Sequence, residues 1–197
     1  MNRRTSQSLP SPDPRAHLPA DRVLVAGVTG SGKTTLCRRV AAGWSLTHTE
    51  LDSLYHGQNW VPRAEFLDDV RELASGERWI TEWQYTSKGA GDILEPRAQL
   101  VLWLDYPPHV VRRRLIGRSL RRSLTRQELW NGNREGPVWR LLSRDPNKNL
   151  LAWQTKTMHN WRDRMPAALA RNPHLRLIRL RSPEETEVWL AATPTRR

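Results

Sequence analysis

Arg22-Val23-Leu24-Val25-Ala26-Gly27-Val28-Thr29-Gly30-Ser31-Gly32-Lys33-Thr34-Thr35 decides the fold. Its first five residues form an apolar run that ends in glycine, the pattern of a strand buried on both faces. Gly27–Thr35 then fits G-x-x-x-x-G-K-[ST], and Lys33–Gly43 carries Leu36, Val40 and Ala41 along one helical stripe. Each residue type in the turn has a physical task. The glycines let the backbone turn tightly, so that successive N–H groups converge on phosphate oxygens. The helix that opens at Lys33 adds its dipole and free N–H groups. Gly27, Gly30, Ser31, Gly32, Lys33, Thr34 and Thr35 are therefore candidate nucleotide-binding residues. Lys33 is expected to reach the β- and γ-phosphates, and the Thr34 hydroxyl to ligate Mg²⁺. Cys37, one turn into the helix, reads as a packed thiol rather than a nucleophile.

Beyond this unit the chain alternates short apolar strands with amphipathic helices, which predicts a parallel sheet covered on both faces. Strands are expected at Arg22–Ala26, Thr47–Leu51, Arg78–Glu82, Gln99–Leu104 and Leu175–Leu180. Helices are expected at Arg63–Ser75, from Pro108 through an arginine block, at about Leu150–Ala170 and at Pro183–Ala192. The predicted fold class is α/β, a P-loop NTPase three-layer α/β/α arrangement with a five-stranded parallel sheet and an arginine-rich helical lid. Residues 1–20 read as a disordered tail, 21–192 as one domain with its lid at about 118–149, and 193–197 as a second tail.

The chain has 197 residues and one cysteine, which rules out an internal disulfide framework and points to a cytoplasmic protein. No apolar run approaches the roughly 20 residues of a membrane span, and the N-terminus has no apolar core of a secretory signal. Of 32 basic residues only Lys33, Lys88, Lys148 and Lys156 are lysines, leaving 28 arginines and a net charge of +12. An Arg-rich coding bias would produce that count, and so would a need to grip phosphates with two-point forks. Distribution separates the two. Seven arginines lie between Arg112 and Arg126 with no acid among them, and Arg114, Arg118 and Arg122 recur four apart on one helical face. Like charges at that spacing destabilise a helix, and a bound polyanion relieves them. The ten tryptophans are scattered and read mostly as packing residues.

Four further stretches carry a resemblance. Glu50-Leu51-Asp52-Ser53-Leu54-Tyr55-His56 is followed by Gln58-Asn59-Trp60-Val61-Pro62; Trp79-Ile80-Thr81-Glu82-Trp83-Gln84-Tyr85 closes the third strand. Arg114-Leu115-Ile116-Gly117-Arg118 lies in the arginine block, and Leu129-Trp130-Asn131-Gly132-Asn133-Arg134-Glu135 follows it, with Ser143-Arg144-Asp145 behind. From Arg22 to about Leu190 the chain resembles the nucleoside-monophosphate-kinase-like P-loop kinases. Within them it is similar to the small bacterial adenylate-kinase-related proteins called DNA topology modulation proteins. The resemblance implies that Arg114 packs on the nucleotide base and Arg118 contacts its phosphates. It also implies that Arg134 and Arg144 close on the transferring phosphoryl group. Glu82 and Trp83 replace the family's acid-glycine pair, and Glu82 takes the Mg²⁺ role.

Several roles stay open at this level. Asp52 is a general base or orienting acceptor at the sheet's C-terminal edge, or the N-cap of the next helix. Asp105, before Pro107-Pro108, competes with Glu82 for the metal or simply ends its strand. His56 is a substrate contact or a packing residue, and Asn131–Asn133 a lid element or a structural turn. The leading expectation is transfer of the γ-phosphoryl of Mg-ATP to a small acceptor lying between Asp52, Tyr55–Arg63 and Glu82, with Arg63 and Lys88 binding an acidic group on it. A nucleotide-dependent module on nucleic acid is the second reading, and a regulatory ATP sensor the third. The composition carries no signal for the oligomeric state.

Overall fold

The computed structural model describes residues 18–125, 128–133 and 160–196. The predicted N-terminal tail up to residue 17, Arg126, Arg134, Arg144 and the lid beyond residue 133 lie outside them. Five strands, β1 (Arg22–Gly27), β2 (Thr47–Thr49), β3 (Trp79–Glu82), β4 (Leu100–Leu104) and β5 (Arg176–Leu180), form one parallel sheet in the order β2-β3-β1-β4-β5. Between and after them lie α1 (Lys33–Trp44), α2 (Leu51–Tyr55), α3 (Phe66–Ser75), α4 (Ala90–Leu94), α5 (Pro108–Thr125), α6 (Asn160–Arg171) and α7 (Pro183–Ala192).

The apolar alternation of β1 splits the core into two. Val23 and Val25 pack with Leu36 and Val40 of α1, Val111 of α5 and Trp189 of α7. Leu24 and Ala26 point the other way, among Phe66 and Val70 of α3, Leu94 of α4 and Trp161 and Met165 of α6. Because both faces are covered, the central strands need apolar residues at every position, which is what β1 and β4 carry. The result is the three-layer P-loop fold expected from the sequence.

Local departures have local causes. β2 stops at Thr49 rather than Leu51, because Glu50 is already the N-cap residue of a short helix. Asp52 therefore sits in the first turn of α2, neither ending a strand nor capping a helix. α3 starts at Phe66 rather than Arg63: the His56–Pro62 bridge and the Arg63 N–H to Tyr55 carbonyl bond (2.9 Å) keep the preceding segment extended. α5 continues past Ser123 to Thr125. The C-terminal residues are docked, with Thr193 buried and the Arg196 N–H bonded to the Gly43 carbonyl at 2.8 Å.

Trp83 follows directly on β3. Its N–H extends the sheet to Val25 (2.8 Å), and its buried ring lies 5.0 Å from that of Trp161. The indole is absorbed by the α3/α4/α6 core, on the face of the sheet opposite α1. Trp83→Ala is expected to cost about 3–5 kcal/mol, as for other buried tryptophans. Chemical denaturation monitored by circular dichroism measures it.

Candidate functional site

The loop between β1 and α1 is shaped by glycines that nothing else replaces. Gly30 and Gly32 adopt φ of 87° and 100°, left-handed values that side chains rarely take. A Cβ on Gly30 would meet the Leu115 Cβ at 2.9 Å and the Val111 carbonyl at 3.0 Å, so α5 lies directly on the loop. This approach brings Arg114 over it: the guanidinium donates to the Ser31 carbonyl at 3.1 Å and lies 5.3 Å from the Tyr106 ring centre. The turn is closed by the Ser31 N–H to the Val28 carbonyl, 3.1 Å, and α1 begins immediately with Leu36 bonded back to Gly32.

Lys33 is buried, and its Nζ points back to the Val28 carbonyl at 3.4 Å. Burial holds its pKa below the ordinary lysine value, while Glu82 and Asp52 pull the other way. Glu82, at the end of β3, lies opposite Val25 in the sheet register and is 3% exposed. Burial disfavours its charge, but His48, 3.5 Å away, its own backbone and the Thr34 hydroxyl together hold the carboxyl below its usual range. These approaches are too long or oblique to be directed hydrogen bonds, and both Glu82 oxygens lack one.

The loop opens into a cavity of about 640 Å³. Gly30, Ser31, Gly32, Lys33, Thr34 and Thr35 form one wall, and Arg114, Arg118 and Arg122 of α5 another. The four-residue arginine spacing thus borders the same cavity as the phosphate loop. Gly27 lies just behind, where an added Cβ would strike Ser31 Oγ at 2.6 Å. At one end are Tyr106, Pro183, Thr186 and Glu187; Asp52, Trp60, Gln84 and Trp130 also line it.

Around Asp52 the structure builds a network that the one-dimensional pattern did not reveal. The Tyr85 hydroxyl donates to Asp52 Oδ1 at 2.6 Å and lies 3.1 Å from His56 Nε2. Tyr85 stacks on Tyr55, ring centres 4.2 Å apart, which fixes the hydroxyl in place. Burial raises the pKa of Asp52, and the Tyr85 hydrogen bond and Lys33 offset part of that rise. Tyr85 itself is raised well above the ordinary phenol, first by burial and then by Asp52.

Leu129–Asn133 docks on this region. The Asn131 amide donates to the Ser53 and His56 carbonyls, and Asn133 holds both Gly57 (2.8 Å) and the Trp60 N–H (2.9 Å). The Trp130 indole N–H reaches Glu50 at 2.9 Å, and Arg38 of α1 pairs with the same carboxylate at 2.6 Å. Tyr85, Glu50 and Trp130 were all present in the quoted motifs, but only tertiary folding brings them to one place.

Other candidates are turned elsewhere. Arg63 pairs with Asp69 (2.7 Å) and Glu65 (3.8 Å) and does not line the cavity; Lys88 is exposed after β3. Asp105 is held by Arg179 and Arg162 beside β5. Arg134 and Arg144 lie outside the described residues.

The residues present fit a nucleotide triphosphate with Mg²⁺. The glycine cradle would be filled by any Cβ, a row of arginines faces it, and the undirected Glu82 oxygens lie by the Thr34 hydroxyl. Loop, sheet order and arginine wall together define a P-loop α/β/α protein. No family model and no curated protein matches the chain. Among solved structures it is similar to an unliganded sugar kinase from Janibacter sp. HTCC2649 (25% identity, TM-score 0.45), over 89% of this chain and 97% of that one. It is also similar to a gluconokinase from Sinorhizobium meliloti 1021 (19%, TM-score 0.49), over 86% and 91% of the chains. A shikimate kinase from Acinetobacter baumannii in complex with shikimate matches at 16% and 0.49, over 90% and 92%. All three superpositions fall below a TM-score of 0.5, so what the site does is decided by its own residues. Among the described residues no helix is long and apolar enough to cross a membrane.

Tyr85→Phe removes a donor to the charged form of Asp52, so the Asp52 pKa is expected to rise further. Carbon-13 NMR titration of the labelled carboxyl measures the shift; an unchanged value would mean that the Tyr85 contact does not hold Asp52 in solution.

Proposed function

We propose that this protein is an ATP-dependent phosphotransferase acting on a small hydroxyl-bearing acceptor. The observation that carries the reading is the single cavity in which the phosphate loop and Asp52 both stand. A nucleotide sensor needs the loop and the arginine wall. It has no use for a half-buried carboxylate held by a tyrosine in the same cavity, which Gln84 and two indoles also line.

The geometry supports the following division of labour. The backbone N–H groups of Gly30–Thr35 and the side chains of Lys33 and Arg118 bind and orient the triphosphate, and Arg114 packs on the base. Arg118 neutralises charge that develops on the γ-phosphoryl, and the resemblance assigns the same role to Arg134 and Arg144, which lie outside the described residues. Thr34 and Glu82 would hold Mg²⁺, which would offset phosphate charge when bound. Asp52 orients the acceptor hydroxyl and takes its proton as the new O–P bond forms and the bond to the β-phosphate oxygen breaks. A raised Asp52 pKa strengthens it as a proton acceptor, and Tyr85 keeps enough of it ionised to act. The Asn131 and Asn133 amides hold the Trp130 segment against α2 and the Gly57–Trp60 turn, which limits water entry at the acceptor end.

Two sequence-level alternatives lose ground. The Trp83 departure would favour a sensor if it blocked the site, but the ring is buried away from the cavity. The α5 arginines that would bind a nucleic-acid backbone include three that line the cavity, which supports their service to the nucleotide.

The acceptor class is to be found by coupled ATP turnover against nucleosides, nucleotides, sugars and hydroxy acids. At least one acceptor is expected to raise turnover, and Lys33→Ala to lower it by roughly 10²–10³-fold, the scale of removing one charge-stabilising donor. If no acceptor raises turnover above the Lys33→Ala level, the phosphotransferase reading fails. With a working acceptor, Tyr85→Phe is expected to move the acidic limb of the pH–rate profile to higher pH, because more of Asp52 is then protonated at a given pH.

A further inference from the structure

Behind the phosphate loop, three elements bring three different ligand atoms together. Cys37 projects from α1, His48 from β2 and Glu82 from the end of β3. His48 pairs with Ile80 in the β2–β3 register, and Glu82 lies two residues beyond Ile80. The alternation of side chains along a strand therefore puts His48 and Glu82 on one face, the face on which Ile80 packs with Cys37 under α1. The Cys37 sulfur, a His48 ring nitrogen and a Glu82 oxygen all lie within 4.8 Å of one another. Cys37 is 0% exposed, and the His48 and Glu82 side chains are 12% and 4% exposed.

The packing leaves this cluster unsatisfied. His48 Nε2 and both Glu82 oxygens are buried without a directed hydrogen bond, and Cys37 is a free thiol. A buried imidazole, carboxylate and thiol facing one another at these distances is costly unless something couples them. A proton shared between His48 and Glu82 would couple two of the three; only a cation couples all three.

We propose that Cys37 Sγ, His48 Nε2 and one Glu82 oxygen form a binding site for a thiophilic divalent cation of the zinc class. A sulfur, a nitrogen and an oxygen suit zinc or cobalt, whereas magnesium and calcium take oxygen ligands. Metal–ligand bonds of about 2.0–2.3 Å place neighbouring ligand atoms roughly 3.3–3.7 Å apart in a tetrahedron. His48 and Glu82 already meet at 3.5 Å, so the site closes if the thiol advances by at most about 1 Å. Three protein ligands leave a fourth position for water or another small donor. β2 is the edge strand of the sheet, which gives the cation a path in beside His48. Binding is an exchange: the thiol gives up its proton, a sulfur–metal bond forms, and nothing is oxidised or reduced. Without the cation, burial and the Glu82 charge keep the Cys37 thiol protonated and unreactive.

Glu82 belongs both to this site and to the proposed Mg²⁺ position, so occupancy behind the loop draws on the same carboxylate. The site itself does not depend on the phosphotransfer reading, and its test uses no nucleotide.

The untagged full chain, reduced with a phosphine and stripped with chelator, is titrated with Co²⁺. One equivalent per chain is expected, with a thiolate-to-cobalt charge-transfer band in the near ultraviolet that Zn²⁺ displaces. Cys37 is the only cysteine of the chain, so that band has one source. Cys37→Ser is expected to abolish the band and, with His48→Gln, to weaken cobalt binding by about 100-fold or more, at least the upper end of losing an outer-shell partner. Circular dichroism establishes that each variant is folded. The site is overturned if the unmodified chain gives no charge-transfer band, or if the band is unchanged in folded His48→Gln. It needs no folded Cys37→Ser to be decided, because the unmodified chain alone carries the first outcome.

Discussion

A Cβ placed on Gly30 would run into the Leu115 Cβ and the Val111 carbonyl, so the phosphate loop and α5 are in contact with no side chain between them. That closeness sets the geometry of the rest of the site. It puts Arg114 within reach of the Ser31 carbonyl and, with α-helical periodicity, aligns Arg118 and Arg122 along the same wall. It also brings the like charges at four-residue spacing on α5 to one cavity, where a polyanion would relieve their repulsion. The sheet supports the arrangement from below, because β1 is central and is paired on both sides, by β3 and β4.

The charges near the loop form a second level of organisation. Lys33, Glu82 and Asp52 each feel burial first; the two acids raise the lysine, the lysine lowers Asp52, and His48, the Glu82 backbone and Thr34 lower Glu82. Such a set is stable only as a set, since removing one partner leaves an uncompensated charge in a low-dielectric place. The contacts that steady it come from several layers of the fold: His48 from the edge strand, Tyr85 from beyond β3 and the Thr34 hydroxyl from α1.

Most of the phosphate loop's surroundings were legible in the order of residues. Their determinants are local: an apolar strand, glycines at fixed offsets, a lysine and a threonine opening a helix, and arginines one helical turn apart. The parallel sheet was equally open to reading, because burial on both faces writes continuous apolar runs into β1 and β4. The surroundings of Asp52 were not. Asp52 had been expected at a strand end or a cap, but the β2 strand is only three residues long and Glu50 starts a helix earlier. Tyr85 reaches Asp52 over 33 residues, and Asn133 reaches Gly57 over 76, separations at which spacing carries no signal. Arg63 looked available for a ligand only because its pairing with Asp69 depends on where α3 begins. Cys37, His48 and Glu82 show the same limit, being neighbours across three elements and strangers in sequence.

The sheet divides its labour unevenly between centre and rim. The phosphate loop hangs on β1, flanked by strands on both sides, whereas the Asp52 region hangs on β2, three residues long with a partner on one side only. Such a margin is where backbone opens first and where insertions and substitutions are tolerated best. A lineage built on this plan could therefore rewrite the β2–α3 segment and the Trp130 strap, and with them the chemistry around Asp52. The phosphate loop would pass through that change untouched.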